Sequence, residues 1–444
     1  MEESNAIARA ALLKLKNSGY SAYLVGGSVR DKLMGKAAHD IDIATSAKPE
    51  QTAKVFEKLA VIPTGIAHGT VTVLIENTPV EITTFRTESG YSDNRHPDSV
   101  SFSSSIRDDL SRRDFTINAI AEDENGVLYD PFGGKGDIEK KLIRCVGNAE
   151  TRFEEDSLRI LRALRFSAVL SFSIEEETAR AIKKCRHLLL HLSAERIMGE
   201  LSRLLCGEKA ADVLLEYPEI FAKIFPCLEK TQGFLQHNRH HCFDVWEHTV
   251  NVVKNVRPAL HLRLAALFHD CAKPLVFSLD ENKEGHFYSH APKGALIAED
   301  ELRRLRFDSD TIQKTVKLVR IHDSPIECSA VAVKKKLGRL GEEMFFDLLE
   351  LQRADNLAQS VDFRFRQKNF DYLEETAKEI LCQNECFSLK KLAVNGNDML
   401  SLGLFGKEVG EMLSFLVEQV IEEKVQNKKD LLLECAKAEK EKKM

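Results

Sequence analysis

The sequence predicts an α+β protein: a head built on a mixed sheet with helices, followed by a long all-helical stretch. Two observations predict it. Strand-like runs, SAYLVGG, DIDIAT, VTVLI, PVEITTF and SVSF, all fall within residues 1–145. From about residue 148 onward, apolar residues recur at helical spacing almost throughout. A length of 444 residues suits about three domains. The expected division is a head over 1–147, a helical neck over 148–228, a helical body over 229–365 and a helical tail over 366–444.

Taken in order, helical stretches at 5–18 and 49–59 alternate with the strands of the head. Periodic segments at 154–170, 175–190 and 194–206 form the neck. Tyr217-Pro218 and Phe225-Pro226 mark a boundary near 220–230, because proline disfavours helix at the residue before it. Residues 245–375 are helical and rich in histidine, and Asn395-Gly396 opens a loop before the final helices.

Composition narrows the class. With 43% hydrophobic and 30% charged residues, the chain has the make-up of a soluble protein with real cores. No apolar run approaches the roughly 18 residues that cross a bilayer, and the acidic, amphipathic start is unlike a secretory leader. A cytoplasmic protein without a membrane partner is expected. The ten cysteines are scattered and form no C-x-x-C pair, which points to reduced thiols rather than a zinc ribbon. A net charge of −6 argues against a surface coated in basic residues, while 303–339 is locally basic. Nucleic acid is therefore allowed as a partner but not demanded.

The stretch YLVGGSVRDKLMGKAAHDIDIAT, residues 23–45, carries the sharpest chemistry. In a strand, side chains alternate faces, so Asp40 and Asp42 point one way while Ile41 and Ile43 point into the core. Two neighbouring carboxylates on a half-buried face repel and lose hydration unless cations neutralise them. The spacing predicts a shared divalent site. Just upstream, a strand ends at Gly26-Gly27 and a helix begins near Ser28, which permits close backbone approach by an anion. Arg30 adds a charged donor suited to phosphate.

These motifs resemble the class II tRNA nucleotidyltransferases and bacterial poly(A) polymerases of the DNA polymerase beta superfamily. The likeness runs through Gly26-Gly27-Ser28-Val29-Arg30-Asp31, Asp40-Ile41-Asp42, Val80 to Arg86, and Arg112-Arg113-Asp114-Phe115-Thr116-Ile117-Asn118-Ala119. It continues through Glu155-Asp156-Ser157-Leu158-Arg159 with Arg162, Arg165 and Phe166, and through Leu192-Ser193-Ala194-Glu195-Arg196. It implies two-metal nucleotidyl transfer, with Mg2+ on Asp40 and Asp42 activating a primer 3′-hydroxyl and a second ion bridged to the triphosphate. Glu81 is a candidate third carboxylate, more readily a supporting one. Residues 86–99 match a mobile loop that remodels the family's nucleotide pocket.

Asp156, Arg159, Arg162 and Arg165 recur every three residues, a single helix is expected to carry them, and all four are candidate nucleotide-binding residues. Asp accepts hydrogen bonds and Arg donates them. Side by side they fit a base edge with an amino group next to a bare ring nitrogen, which cytosine and adenine share. Guanine and uracil present the reverse pattern, and each buried mismatch costs about 1–3 kcal/mol. Asp156 with Arg159 therefore selects CTP and ATP, and the resemblance implies the same protein template. Arg113 resembles a further nucleotide-binding arginine, although sequence alone does not separate it from Arg112.

Between residues 237 and 270 the chain is rich in histidine. His248, His269-Asp270 and Asp355 resemble the ligand pattern of HD-superfamily phosphohydrolases, and His290 and His322-Asp323 fit positions that add a second ion in some members. Such a set suits Mn, Ni, Fe, Mg or Zn. Cys271, directly after the motif, departs from the expected glycine or aliphatic residue and leaves hydrolysis open. Val394 to Asp398, Gly403, Gly406-Lys407, Gly410 and Asn427 resemble the part of the tRNA enzymes that clasps the tRNA elbow.

The leading expectation is a CCA-adding tRNA nucleotidyltransferase with tRNA, ATP and CTP as partners. A poly(A) polymerase, or an enzyme adding only A or only CC, shares the same head motifs. From another class, the chain would be an HD phosphohydrolase with a nucleotide-sensing head.

Overall fold

The computed structural model describes residues 2–37, 40–65, 69–90, 99–240 and 242–443. Two compact units divide the chain, Met1–Glu229 and Lys230–Met444.

In the first unit, α1 (Glu2–Asn17) buries Ala11, Leu12 and Leu15 on one helical stripe. Strand β1 (Ala22–Val25) turns at Gly26 into α2 (Gly27–Leu33). Then come β2 (Ile41–Thr45), α3 (Pro49–Val55, started by its proline), β3 (Ala60–Gly65), β4 (Thr70–Ile75) and β5 (Thr78–Thr84). A hairpin of β6 (Arg86–Ser89) and β7 (Ser99–Phe102) precedes α4 (Ile106–Ser111). Of the loop expected over 86–99, residues 91–98 lie outside the described residues. Two short strands, β8 (Ala121–Glu122) and β9 (Leu128–Tyr129), and α5 (Gly134–Glu139) complete the head.

Among the described residues the sheet has the order β3-β4-β5-β2-β1-β8-β9. Strand β2 runs parallel to β5 and antiparallel to β1, so the sheet is mixed. Strand β3 was not among the expected strands. It carries Pro63, and it lies at the sheet edge with a register shift between Ile62 and Gly65, where a missing N–H is tolerated. Ile41 and Ile43 are 5% and 1% exposed, as the alternation requires.

The neck comprises α6 (Ala149–Glu155), α7 (Leu158–Leu170), α8 (Glu176–Lys184) and α9 (Ala194–Leu205). One expectation fails here. The segment 154–170 is not a single helix, because Asp156 is extended (φ −141, ψ 102) and separates α6 from α7. Its side chain accepts a hydrogen bond from Leu158 N at 3.1 Å, and this local bond starts the new helix.

The second unit is helical. Helices Val245–Asn255 and His290–Arg304 carry His248 and His290, His269 and His322 cap the ends of Leu260–Phe268 and Ser309–Ile321, and Glu342–Leu357 supplies Asp355. A separate core forms near the C-terminus around Val394, Met399, Leu404, Met412, Leu416 and Leu432. Asn395 caps the helix Gly396–Ser401 in a reciprocal capping box with Asp398, and Asn427 accepts from Ala393 N and donates to Lys391 O. Among the described residues no helix is long and apolar enough to cross a membrane, and all ten cysteines are free thiols.

Candidate functional site

Strand β2 begins at Ile41, so Asp42 is in the strand while Asp40 sits exposed in the bend just before it. The parallel register sets Asp42 opposite Glu81 on β5. Burial, the negative charge of Glu81 and that of Asp40 push the Asp42 carboxyl up to about 6, against the opposing pull of Arg113. Asp40, Asp42 and Glu81 thus lie near one another around one strand, and oxygen donors of this kind suit a hard divalent cation.

Gly26 makes the close approach possible. Its φ is +73°, and a Cβ there would lie 3.0 Å from Arg113 Nη1 and 3.5 Å from Asp42 Oδ2. A Cβ at 26 would press on the end of the Arg113 side chain while meeting Asp42 at ordinary contact distance, and the positive φ would strain it. Gly27 starts α2 directly below. Arg30 is buried beneath this turn, where it donates to Asp31 Oδ1 at 2.8 Å and to Asn118 Oδ1 at 2.8 Å.

The structure separates the two adjacent arginines. Arg112 donates to Glu88 at 3.1 Å and to Asp109 at 2.6 Å. Arg113 turns the other way, toward Gly26 and Asp42, with one bond to Asp109 at 3.2 Å. Its Nε is buried and has no hydrogen-bond partner among the described residues, a charged donor still in need of an anion. Burial disfavours a charged Asp109, yet Arg112 and Arg113 together hold its carboxyl below the usual range.

The next links lead into the neck. Arg112 O accepts from Arg159 Nη2 at 2.9 Å. Asp114 accepts from Arg162 Nε and Nη2 at 2.8 and 2.6 Å, and from Asn118 Nδ2 at 3.1 Å. Burial opposes this charge, but Arg162 and these bonds bring the Asp114 carboxyl down to about 2. Residues 112–114 therefore lie near Asp42 on one side, where the Arg113 charge acts on its carboxyl, and bond α7 on the other.

Arg159 N donates to Asp156 O at 3.0 Å, but the two side chains are not bonded to each other, as side-by-side placement on one helix would suggest. Arg196 Nη2 grips both oxygens of Asp156, at 2.9 and 3.0 Å. Arg159 spends three of its five N–H bonds on Arg152 O, Glu155 and Arg112 O. Each group is held by its own partners with hydrogen-bonding capacity left over. Arg162 and Arg165 face acids instead: Arg162 meets Asp114, and Arg165 lies 2.7 Å from Glu200 and 4.0 Å from the Phe166 ring centroid. Arg196, quoted in Leu192–Arg196 for its likeness alone, is the residue whose role sequence reasoning missed. Its spacing from Asp156 carried no signal.

The body holds a second cluster. His269 and His322 are the cap residues just after the helices Leu260–Phe268 and Ser309–Ile321, and each Nδ1 meets the carbonyl three residues back, Ala266 O and Val319 O, at 2.7 Å. His290 Nδ1 does the same with Phe287 O at 2.8 Å, and His248 Nδ1 faces Ala358 O at 3.4 Å. A carbonyl only accepts, so each Nδ1 carries the proton and each Nε2 presents a lone pair in the neutral ring. Those lone pairs meet: His269 Nε2 is 3.3 Å from His248 Nε2, and His290 Nε2 is 3.2 Å from His322 Nε2. Two bare lone pairs at that distance repel, and a metal ion or a proton between them removes the repulsion.

Asp270 lies between the two pairs. Its Oδ2 is 3.1 Å from His269 and 3.4 Å from His248, while Oδ1 is 3.4 Å from His290 and 3.8 Å from His322. Asp355 Oδ1 reaches His248 Nε2 at 3.0 Å. Lys273 Nζ bonds Asp270 Oδ2 at 2.6 Å. His269 and Lys273 keep the Asp270 carboxyl well below its ordinary range despite its burial. This mixed N/O donor set fits a transition ion, or a pair bridged by Asp270.

Family models match three stretches of the chain. The poly(A) polymerase head domain matches residues 22–144, the probable RNA and SrmB-binding site of polymerase A matches 171–231, and tRNA nucleotidyltransferase domain 2 matches 293–436. The CCA-adding enzyme of Geobacillus thermodenitrificans is 51% identical over 201 residues, which is 45% of this chain and 49% of the relative. That of Lactobacillus johnsonii is 55% identical over 189 residues, 43% of this chain and 47% of the relative. The chain spans about half the length of the curated relatives it matches. Among solved structures, the Bacillus stearothermophilus CCA-adding enzyme in complex with CTP is similar, with a TM-score of 0.75 and 29% identity over 99% of this chain and 98% of that one.

Proposed function

This chain belongs to the tRNA nucleotidyltransferase and bacterial poly(A) polymerase family, and from that premise we propose that it is a CCA-adding enzyme of the cytoplasm. It extends tRNA 3′ ends with CMP and AMP from CTP and ATP and releases pyrophosphate. The observation that carries this reading is the reach of residues 112–114 from Asp42 to the Asp156–Arg159 segment. That reach supports the reading of Asp42 and the Asp156–Arg159 segment as parts of one site, the first for phosphate transfer and the second for reading the base. Curated relatives named as CCA-adding enzymes, and the related structure named as bound to CTP, support it.

Asp40 and Asp42, with Glu81 beside them, would hold Mg2+. Bound there, it supplies Lewis-acid activation of a 3′-hydroxyl and neutralises charge on the triphosphate. Arg113 offers its unpartnered Nε to the triphosphate, and the Gly26-Gly27 turn lets phosphate approach the backbone. Arg30, through Asn118 and Asp114, ties that turn to Arg162 on α7. Asp156, steadied by Arg196, accepts from the exocyclic amino group of cytosine or adenine, and Arg159 donates to the adjacent ring nitrogen. Guanine and uracil leave both groups unpaired. Arg162 and Arg165 act through Asp114 and Glu200, holding α7 against the head and against α9.

The test is incubation of purified protein with tRNA lacking its CCA end and each labelled nucleoside triphosphate. Transfer of CMP and AMP, with little GMP or UMP, is expected. Equal transfer of all four would overturn the template. Long A tracts on any RNA would point to poly(A) synthesis, and addition of C or A alone to a partial enzyme.

A second reading concerns the body. The facing Nε2 lone pairs favour a metal-held phosphohydrolase centre on His248, His269, Asp270 and Asp355, joined by His290 and His322. An ion bound there supplies an activated water for phosphoester hydrolysis.

A further inference from the structure

The segment following this centre's entrance carries two opposite features within five residues. His290 begins its helix and turns Nε2 toward His322 in the centre. Two residues earlier, Tyr288 is 72% exposed and lines the polar cavity of this centre. Between them Ser289 adopts φ +62°, ψ 21°, a left-handed conformation costly for a residue with a Cβ. That turn is what allows the ligand to face inward while the ring stays at the mouth. The ring does not stand alone. His286 stacks on it with centroids 5.4 Å apart and planes within 4° of parallel. His286 is in turn held by Asp280 Oδ2 at 3.1 Å, and the Tyr288 hydroxyl reaches His286 Nδ1 at 3.5 Å. The cavity of about 400 Å³ lined by Asp270, His290, His322, Asp355, His286 and Tyr288 has room for a nucleoside monophosphate.

We propose that the stacked His286–Tyr288 pair is a nucleobase shelf, so that the body centre takes phosphate esters carrying a base in preference to esters without one. This rests on the reading of the cluster as a metal-held phosphohydrolase site. An aromatic face held flat at a cavity mouth binds any base by stacking, with little regard to its hydrogen-bonding edge. The shelf therefore sets the class of substrate and leaves base identity unread. The base belongs either to a free nucleotide or to the end of an RNA strand.

The full-length protein is titrated calorimetrically with AMP and with ribose 5-phosphate, in EDTA and again with Mn2+, as wild type, Y288A and Y288F. Any AMP bound in the head adds a component that residue 288 does not touch. AMP affinity is expected to fall roughly tenfold in Y288A and to stay within about twofold in Y288F. Ribose 5-phosphate binding should be the same in all three. AMP affinity equal in wild type and Y288A, or absent from both, overturns the shelf. Replacing AMP by a short single strand ending in a 3′-phosphate separates the two sources, since only a strand seated on the shelf weakens with Y288A. Manganese retained after gel filtration, in wild type and H269A, tests the centre by itself. Equal retention would remove the phosphohydrolase reading, while the AMP comparison still decides the shelf.

Discussion

Asp42 in the head and Asp270 in the body are both acids crowded by like or bare electron pairs, yet their surroundings differ. Around Asp42 the crowding comes from carboxylates, the strand face is partly open, and Arg113 supplies only a partial counter-charge. Around Asp270 it comes from four imidazole nitrogens, the acid is 2% exposed, and the charges of His269 and Lys273 hold it ionised. An open oxygen-only cluster suits a cation that arrives and leaves with substrate. A closed N/O cluster suits a resident one. The two clusters thus differ both in donor atoms and in how open they are to solvent.

Removing one acid from the open cluster is the strongest way to break this contrast. Asp42→Asn should lower nucleotide addition about 10³-fold or more, while Mn2+ retention by the body stays at the wild-type level. If both fall together, the centres are not independent. Next, His269→Ala should abolish hydrolysis of a 2′,3′-cyclic nucleotide and most metal retention, with tRNA extension within about twofold of wild type. Asp156→Ala should reduce discrimination of CTP over UTP by about 10–100-fold, because one buried mismatch is worth about 1–3 kcal/mol. Arg196→Ala should reproduce part of that loss with a smaller effect on the rate, measured by competition between the two triphosphates.

The smallest effect concerns pH. Asp42 has a folded-state value near 6, above its ordinary value of 3.8. Its protonation supports the metal-free fold at low pH, and that support is lost as pH rises through about 6. Mg2+ competes with the same proton. The rise in melting temperature on adding Mg2+ should therefore be slight at pH 5 and reach a few degrees at pH 7.5. In Asp42→Asn the metal-free protein should melt higher than wild type at pH 7.5, and the Mg2+ effect should shrink. A Mg2+ effect independent of pH would assign it to other carboxylates.

Much of the head was legible because its strands obey a strict alternation. Ile41 and Ile43 went inside, and the parallel register then set Glu81 beside Asp42. Asp40 fell just outside the strand, a one-residue boundary that alternation does not fix. The break at Asp156 had a readable cause, since an Asp-Ser step before Leu158 starts a helix. Threefold spacing masked it. Which of Arg112 and Arg113 meets Asp42 depends on the short turn after α4, and no pattern in the sequence encodes that direction. The body cluster was legible as residue types, whereas the inward turn of each Nε2 depends on carbonyls at helix ends.

Three consecutive residues, 112 to 114, face three different neighbours: a backbone oxygen offered to Arg159, a guanidinium aimed at Gly26, and a carboxylate locked to Arg162. Inserting or deleting one residue there would rotate every one of these contacts onto the wrong neighbour at once. This stretch should therefore tolerate conservative exchange but no change of length, unlike the surface turns of the same sheet.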